Sequence, residues 1–388
     1  MAVVQQGPPA VTRTKAPPVP IDADLLFKEA RQRERRRRLA WLGIVAIVVG
    51  GLVAIVAANG SRPKASPHLH ELLPSSVPKS TGLPTGSIAS LTRAGPLAVD
   101  PNGTLYVADD SRHEVLLRLA NGRFRVVAGD GRDGFAGDGG PATKAELSDV
   151  SDMSFAPGGD LYLADGGRVR VVGRDGTIRT IAGDGGPGGS VANGAPALTA
   201  PLGPRVSIAL SPGGQLYLAT TSQLFHLSPT DRLDSVRAVV SPGQVTGTGP
   251  LDSYGSIAVD ARGNVYTSSL YAGWSVFRIS PDGVATDLGY ARRSGGTTAV
   301  VQRGADGVIT VDDGQNILRV DGDQLVTSLA MNNVPGIDMF IFTDYFTSAP
   351  DGTFYADNLG PPAFEPYQQI VSVTDGHGVP LWRGVARK

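Results

Sequence analysis

One short pattern returns six times along these 388 residues and restricts the fold more than any other feature. Each copy is an apolar strand, a tight turn and a second apolar strand. LAVDPNGTLYVAD starts at Leu97, MSFAPGGDLYLAD at Met153, IALSPGGQLYLAT at Ile208 and IAVDARGNVYTSS at Ile257. VVQRGADGVITVDD follows from Val300 and TSAPDGTFYADNL from Thr347. The turn glycines are Gly103, Gly159, Gly214, Gly263, Gly307 and Gly352. A second hairpin follows each first one, as in EVLLRLANGRFRVVAG and RVRVVGRDGTIRTIAG, with turn signals NG and DG. Four strands per copy and six copies predict an all-β, six-bladed β-propeller over residues 83–388. The strands are continuous apolar runs because each propeller sheet packs between two others. The sixth copy supplies its own outer strand, and residues 83–95 are expected to add a supporting one.

ADDSRHEVLLRL at 108–119 resembles the strand–loop–strand segment of NHL repeats. VVAGDGRDGFAGDGGPATKAEL resembles the inter-repeat loop of bacterial NHL-type propellers. The resemblance covers about residues 95–385 and is closest over the first two repeats. It implies an NHL-like propeller.

Ahead of the propeller, residues 39–58 read LAWLGIVAIVVGGLVAIVAA, twenty positions without a charge. About 20 apolar residues at 1.5 Å each match a hydrocarbon core of ~30 Å, so a single transmembrane helix is expected here. The preceding RQRERRRR places residues 1–38 in the cytoplasm as a basic tail and the propeller outside. Arg35, Arg36, Arg37 and Arg38 are expected to face anionic lipid. Val56-Ala57-Ala58 also fits a signal cleavage site, although the leader is very long for one. Residues 59–82, with Pro63, Pro67, Pro74 and Pro78, read as an extracytoplasmic stalk. This layout resembles the membrane-anchored NHL-type proteins of high-GC Gram-positive bacteria, and the sensor half of their receptor kinases without the kinase.

The net charge of −1 conceals this asymmetry: residues 1–38 carry nine Lys/Arg against four Asp/Glu, leaving an acidic remainder. An acidic propeller argues against nucleic acid as partner. With Cys 0, disulfides, thiolate zinc sites and cysteine nucleophiles are excluded.

GDGRDG at 129–134 and GDGGPG at 183–188 both satisfy G-x-G-x-x-G. A dinucleotide site needs those glycines to open a helix. Here more glycine and a proline follow, so the expectation is turn chemistry. Asp130, Asp133 and Asp138 form a weak calcium candidate, since carboxylates on a flexible loop suit a hard cation. The alternative is that they cap turns; no other cofactor is expected.

Antiparallel order sends the short turns to one face and every long insertion to the other: 129–150, 183–205, 268–275, 289–299, 330–344 and 357–368. Loops on a rigid scaffold carry function, so this face is the expected binding face. Arg132, Phe135, Tyr271, Trp274, Phe364 and Tyr367 are its candidate contacts for an extracytoplasmic protein, peptide or glycan. Phe135 and Phe364 could instead tuck down to close the barrel. A metal-dependent hydrolase or lyase with a site in the central channel is the alternative, with Asp100 and Asp260, at the ends of innermost strands, as possible ligands. His113 and the other four histidines offer no coherent catalytic set, so a non-enzymatic role is expected.

Overall fold

Six sheets are arranged in chain order, each made from one stretch of sequence and antiparallel except for one short parallel pairing in the fourth. The computed structural model describes residues 83, 86–240, 255–269, 275–291, 299–304, 307–313, 316–330, 345–359, 367–374 and 377–385. Residues 1–38 and 39–58, with the Arg35–Arg38 cluster, lie outside them, as does the 59–82 stalk. Among the described residues no helix is long and apolar enough to cross a membrane.

The first blade holds β1 (Ile88–Ala89), β2 (Ala94–Val99), β3 (Leu105–Asp109), β4 (Glu114–Arg118) and β5 (Phe124–Ala128). The second holds β6 (Val150–Phe155), β7 (Leu161–Asp165), β8 (Arg168–Val172) and β9 (Ile178–Ala182). The third comprises β10 (Ala195–Pro196), β11 (Ser207–Leu210), β12 (Leu216–Ala219), β13 (Leu224–Leu227) and β14 (Arg232–Ser235). β15 (Val239–Val240), β16 (Ile257–Val259), β17 (Val265–Ser268), β18 (Ser275–Ile279) and β19 (Val284–Tyr290) form the fourth. The fifth is β20 (Val300–Arg303), β21 (Ile309–Asp312), β22 (Asn316–Asp321) and β23 (Gln324–Ala330). β24 (Phe346–Ser348), β25 (Phe354–Leu359), β26 (Tyr367–Thr374) and β27 (His377–Val385) complete the sixth. The six-bladed all-β propeller is therefore the fold.

Sequence chemistry explains the hairpins. All six turn glycines adopt positive φ, from +80 to +93°, which closes the turn at no Cβ cost. In the first turn, Asp100 Oδ1 accepts the N–H groups of Asn102 and Thr104, the side chain imitating a backbone turn. An aspartate at or near the end of the second strand clamps the chain that enters its blade. Asp109 accepts from Thr92 and Arg93, Asp165 from Ser148, and Asp357 from Tyr345. All three are buried, and these charge-assisted bonds offset the burial.

The core lies between blades. Ala98 and Tyr106 of the first pack with Met153 and Leu161 of the second, and Leu218 and Phe225 of the third with Ala164 and Val169. Leu97, Val107 and Leu116 meet Ile370, Tyr345 and Tyr355 across the seam between blades one and six. Each fully buried Leu or Phe contributes about 1.5–3 kcal/mol. Blade six takes all four strands from its own stretch, and the supporting strand expected within 83–95 is β1, paired to β5. Phe346 is buried in the innermost strand as its apolar setting requires.

Two boundaries differ from the sequence reading. β19 continues to Tyr290 and β25 to Leu359, so the loops assigned to 289–299 and 357–368 are shorter. Both strands outrun the apolar pattern because ladder pairing continues past the core.

Candidate functional site

The two glycine-rich loops are built alike and are mostly structural. Each leaves the outer strand of one blade, lays a short segment along the outer strand of the next, and then runs to that blade's innermost strand. Gly139 and Ile178 exchange bonds through Gly139 N–H to Ile178 O and Ile178 N–H to Gly140 O. The second loop does the same with β10 against β14. Ala142, Ala145 and Leu147 of the first, and Val191, Ala197 and Leu202 of the second, are buried in the interblade cores.

Arg170 locks the first loop in place. Its side chain, on β8, is 0% exposed. It donates to Asp165 Oδ2 at 3.1 Å, to Asp138 Oδ1 at 2.7 Å, and to the Glu146 and Ala136 carbonyls. Asp138 also accepts the Thr180 N–H at 2.8 Å. Burial alone would raise the Asp138 carboxyl, but the Thr180 and Arg170 bonds hold it below the usual range. Asp138 is thus engaged by a cation and an amide. Asp130 bonds the Arg132 N–H and pairs with its guanidinium at 3.1 Å. Among the described residues no group of three or more His, Asp or Glu is placed to hold a metal, so the Asp130–Asp133–Asp138 trio is not brought together as a ligand set.

What the lock holds up is an aromatic platform. Phe135 is 56% exposed, open to solvent rather than tucked into the barrel. Arg168 stacks on it, guanidinium carbon 3.7 Å from the ring centroid. The same guanidinium donates to the Asp184 carbonyl of the second loop at 2.7 Å. Arg168 therefore joins both loops and stiffens the ring between them. Arg132 lies on the same loop, exposed and within 3.9 Å of Glu146.

The innermost strands surround a central channel of about 730 Å³. Ser151, Asp152, Ser207, Gln302, Arg303 and Thr347 contribute polar groups to its wall. Asp152 Oδ2 accepts the Ile208 N–H of the next blade and Oδ1 its neighbour's Met153 N–H. Burial pushes its carboxyl up to about 7, against the lowering effect of those two bonds. Asp110, near the same end of the first blade, is raised by burial to about 6. Asp100, which also lines the channel, and Asp260 both cap turns. Asp260 takes N–H bonds from Arg262 and Asn264 on one oxygen, and Asn264 Nδ2 and the Tyr266 hydroxyl on the other.

A pH dependence follows. Carboxyls raised in the folded state bind protons that the unfolded chain, with carboxyls near 3.9, releases. Their contribution is most favourable at low pH and is lost as pH rises through about 6 to 7. The unfolding midpoint should fall between pH 5 and 8, and Asp152→Asn should flatten that slope, whatever it does to stability at one pH. A midpoint rising over that range, or an unchanged slope in the variant, would contradict the assignment.

No family model matches the chain. Teneurin-m of Drosophila melanogaster is 31% identical over 102 residues, 23% of this chain and 4% of that protein. Teneurin-4 of Homo sapiens is 34% identical over 96 residues, 21% and 4% respectively. The chain thus matches a small fraction of these relatives' length. Among solved structures, a streptogramin B lyase aligns over 78% of this chain and 88% of its own, at 10% identity and a TM-score of 0.45. At these levels the comparisons transfer neither activity nor site.

Of the six predicted contacts, Arg132 and Phe135 stand together on the first loop. Tyr271, Trp274 and Phe364 lie outside the described residues, and Tyr367 begins β26 rather than lying in a loop. Sequence reasoning missed Arg168 and Arg170. Both sit in RVRVV, which was read only as a strand of the second hairpin. The available signal was their sequel to the Gly166-Gly167 turn, directly beneath the long loops. His113 has Nδ1 3.0 Å from the Ser148 carbonyl, tying the first blade to the entry of the second.

Proposed function

We propose that this chain is a membrane-anchored, single-pass protein displaying a non-catalytic NHL-like propeller outside the cell, where it binds a protein, peptide or glycan. Membrane lipid is the partner of residues 39–58, and the long-loop face receives the extracytoplasmic one. The observation that carries this reading is the immobilised exposed ring: Phe135 gains contact area without losing freedom on binding, because Arg168 and the Arg170 lock have already fixed it. A photo-crosslinking side chain at Phe135 in intact cells should yield a discrete adduct. The same probe at Asn121, in a short turn on the opposite face, should not. Indistinguishable patterns at the two positions would defeat the site assignment.

One observation favours a second reading, a channel-centred metal-dependent hydrolase or lyase: Asp152 faces the channel with a carboxyl that titrates near neutrality. That reading requires a stoichiometric divalent metal in the purified protein, lost in Asp152→Asn. Elemental analysis distinguishes the two.

A further inference from the structure

The outer edges of the blades are not treated alike. In blades one to four a short segment of the chain covers the start of the outermost strand. β1 pairs with Arg125 and Phe124 of β5, and Pro141 bridges Thr177 before β9. β10 pairs with Leu233 and Arg232, and β15 with Val284 and Ala285. Each cover comes from the stretch leading into its own blade. For blades two to four that stretch is long: 129–149, 183–206 and 236–256. Blade five is entered by residues 291–299 alone, from the end of β19 to the start of β20. That is less than half the length. Among the described residues nothing pairs with the outer edge of β23.

The exposed edge is ready for pairing. β5 and β23 share a register: Leu116 pairs with Val126 just before a bulge, and Leu318 with Thr327. In blade one Val126 donates outward to Ser87 and accepts from Gly86. By that equivalence, Leu325 and Thr327 turn their N–H and C=O groups outward. Val326 between them is 38% exposed, and Gln324 and Ser328 are exposed too. Natural edges are usually blunted by charge or proline. The strand, QLVTSLA, has neither, whereas β27 of blade six contains Pro380 and Arg383.

We propose that β23 is a self-association edge, pairing antiparallel with β23 of a second copy about a twofold axis at Val326. Leu325 then exchanges both backbone bonds with Thr327 of the other copy, and the symmetry repeats the exchange. Self-pairing fits this edge because residues 324–337 carry no charge. Asp321 and Asp323, at the head of the strand, therefore face neutral residues of the second copy and not each other. Both unfilled edges are covered at once, and the assembly closes. A ladder this short is a small interface, so the pairing is transient and is best read by a method that accumulates contacts.

The absence of cysteine supplies that method. Opposed residues on an antiparallel axis stand within disulfide reach. In the full-length chain in cell membranes, Val326→Cys should form a disulfide-linked homodimer under mild oxidation, faster than Asn121→Cys on the same chain. Adding Gln324→Lys and Ser328→Lys should suppress it, since like charges then face each other. Gln324→Lys with Ser328→Glu should restore it. All these positions are exposed, so the fold is spared. No homodimer above the Asn121→Cys rate, a rate indifferent to the charge pairs, or capture of a different protein instead of a second copy would each overturn the proposal.

Discussion

Arg170→Met is expected to lower the unfolding free energy by about 3–5 kcal/mol, the cost of breaking a buried ion pair from one side. Asp165, itself fully buried and already raised by that burial, would be left without its counter-ion. The Glu146 and Ala136 carbonyls would lose their donor. Chemical denaturation of the purified protein measures the loss, and adding Asp165→Asn should recover part of it by removing the stranded carboxyl. The damage should be regional as well: amide exchange across 129–149 should accelerate before that of the distant fifth blade. A loss below about 1 kcal/mol would mean that Arg170 does not hold the loop.

The glycines of the two G-x-G-x-x-G segments give the second large effect. Gly129, at φ +94°, sits where an added Cβ would fall on the His113 carbonyl oxygen and 2.8 Å from the Glu114 Cα. Gly183, at φ +86°, meets the Gly167 carbonyl and the Arg168 Cα in the same way. Backbone strain and overlap with main-chain atoms add, so Gly129→Ala or Gly183→Ala should each cost about 2–4 kcal/mol. Gly139→Ala is the control: its φ is +82°, but nothing lies within 4 Å of the new carbon, so about 1 kcal/mol is expected. Equal costs at Gly129 and Gly139 would remove the close-packing account. The intended contrast shows what these loops are for. Their glycines let the chain pass tightly over the preceding β-hairpin, which is a folding requirement.

The parts of this architecture that were readable in the sequence are those that repeat. A glycine after Pro-Asn or Pro-Gly, followed three residues later by tyrosine, fixes a hairpin through local geometry alone, and three such signals are nearly identical. The covering strands were not readable in the same way. Ile88–Ala89 and Ala195–Pro196 are strands only because an outer edge lies beside them, and no propensity distinguishes two residues. Arg170 escaped notice because nothing near it in the sequence announces a partner. Here Asp138, which lies 32 residues upstream, comes back to meet it. Asp100 and Asp260 were read as channel residues, and their turn-capping went unread. They stand in D-P-N-G and D-A-R-G-N, where the carboxylate is already committed to the turn that follows. Phe135 was found because a phenylalanine among glycines and aspartates has little local core to enter.

Because every sheet, with its covering segment, comes from one contiguous piece of chain, the boundaries between blades are also natural points of recombination. Duplicating or deleting a whole blade would resize the ring without cutting any backbone ladder, and closure would need only that the new flanks match in shape. Rings of five or seven members are therefore within a single genetic step of this one, and the fifth member, which has no covering segment among the described residues, keeps its place in the circle.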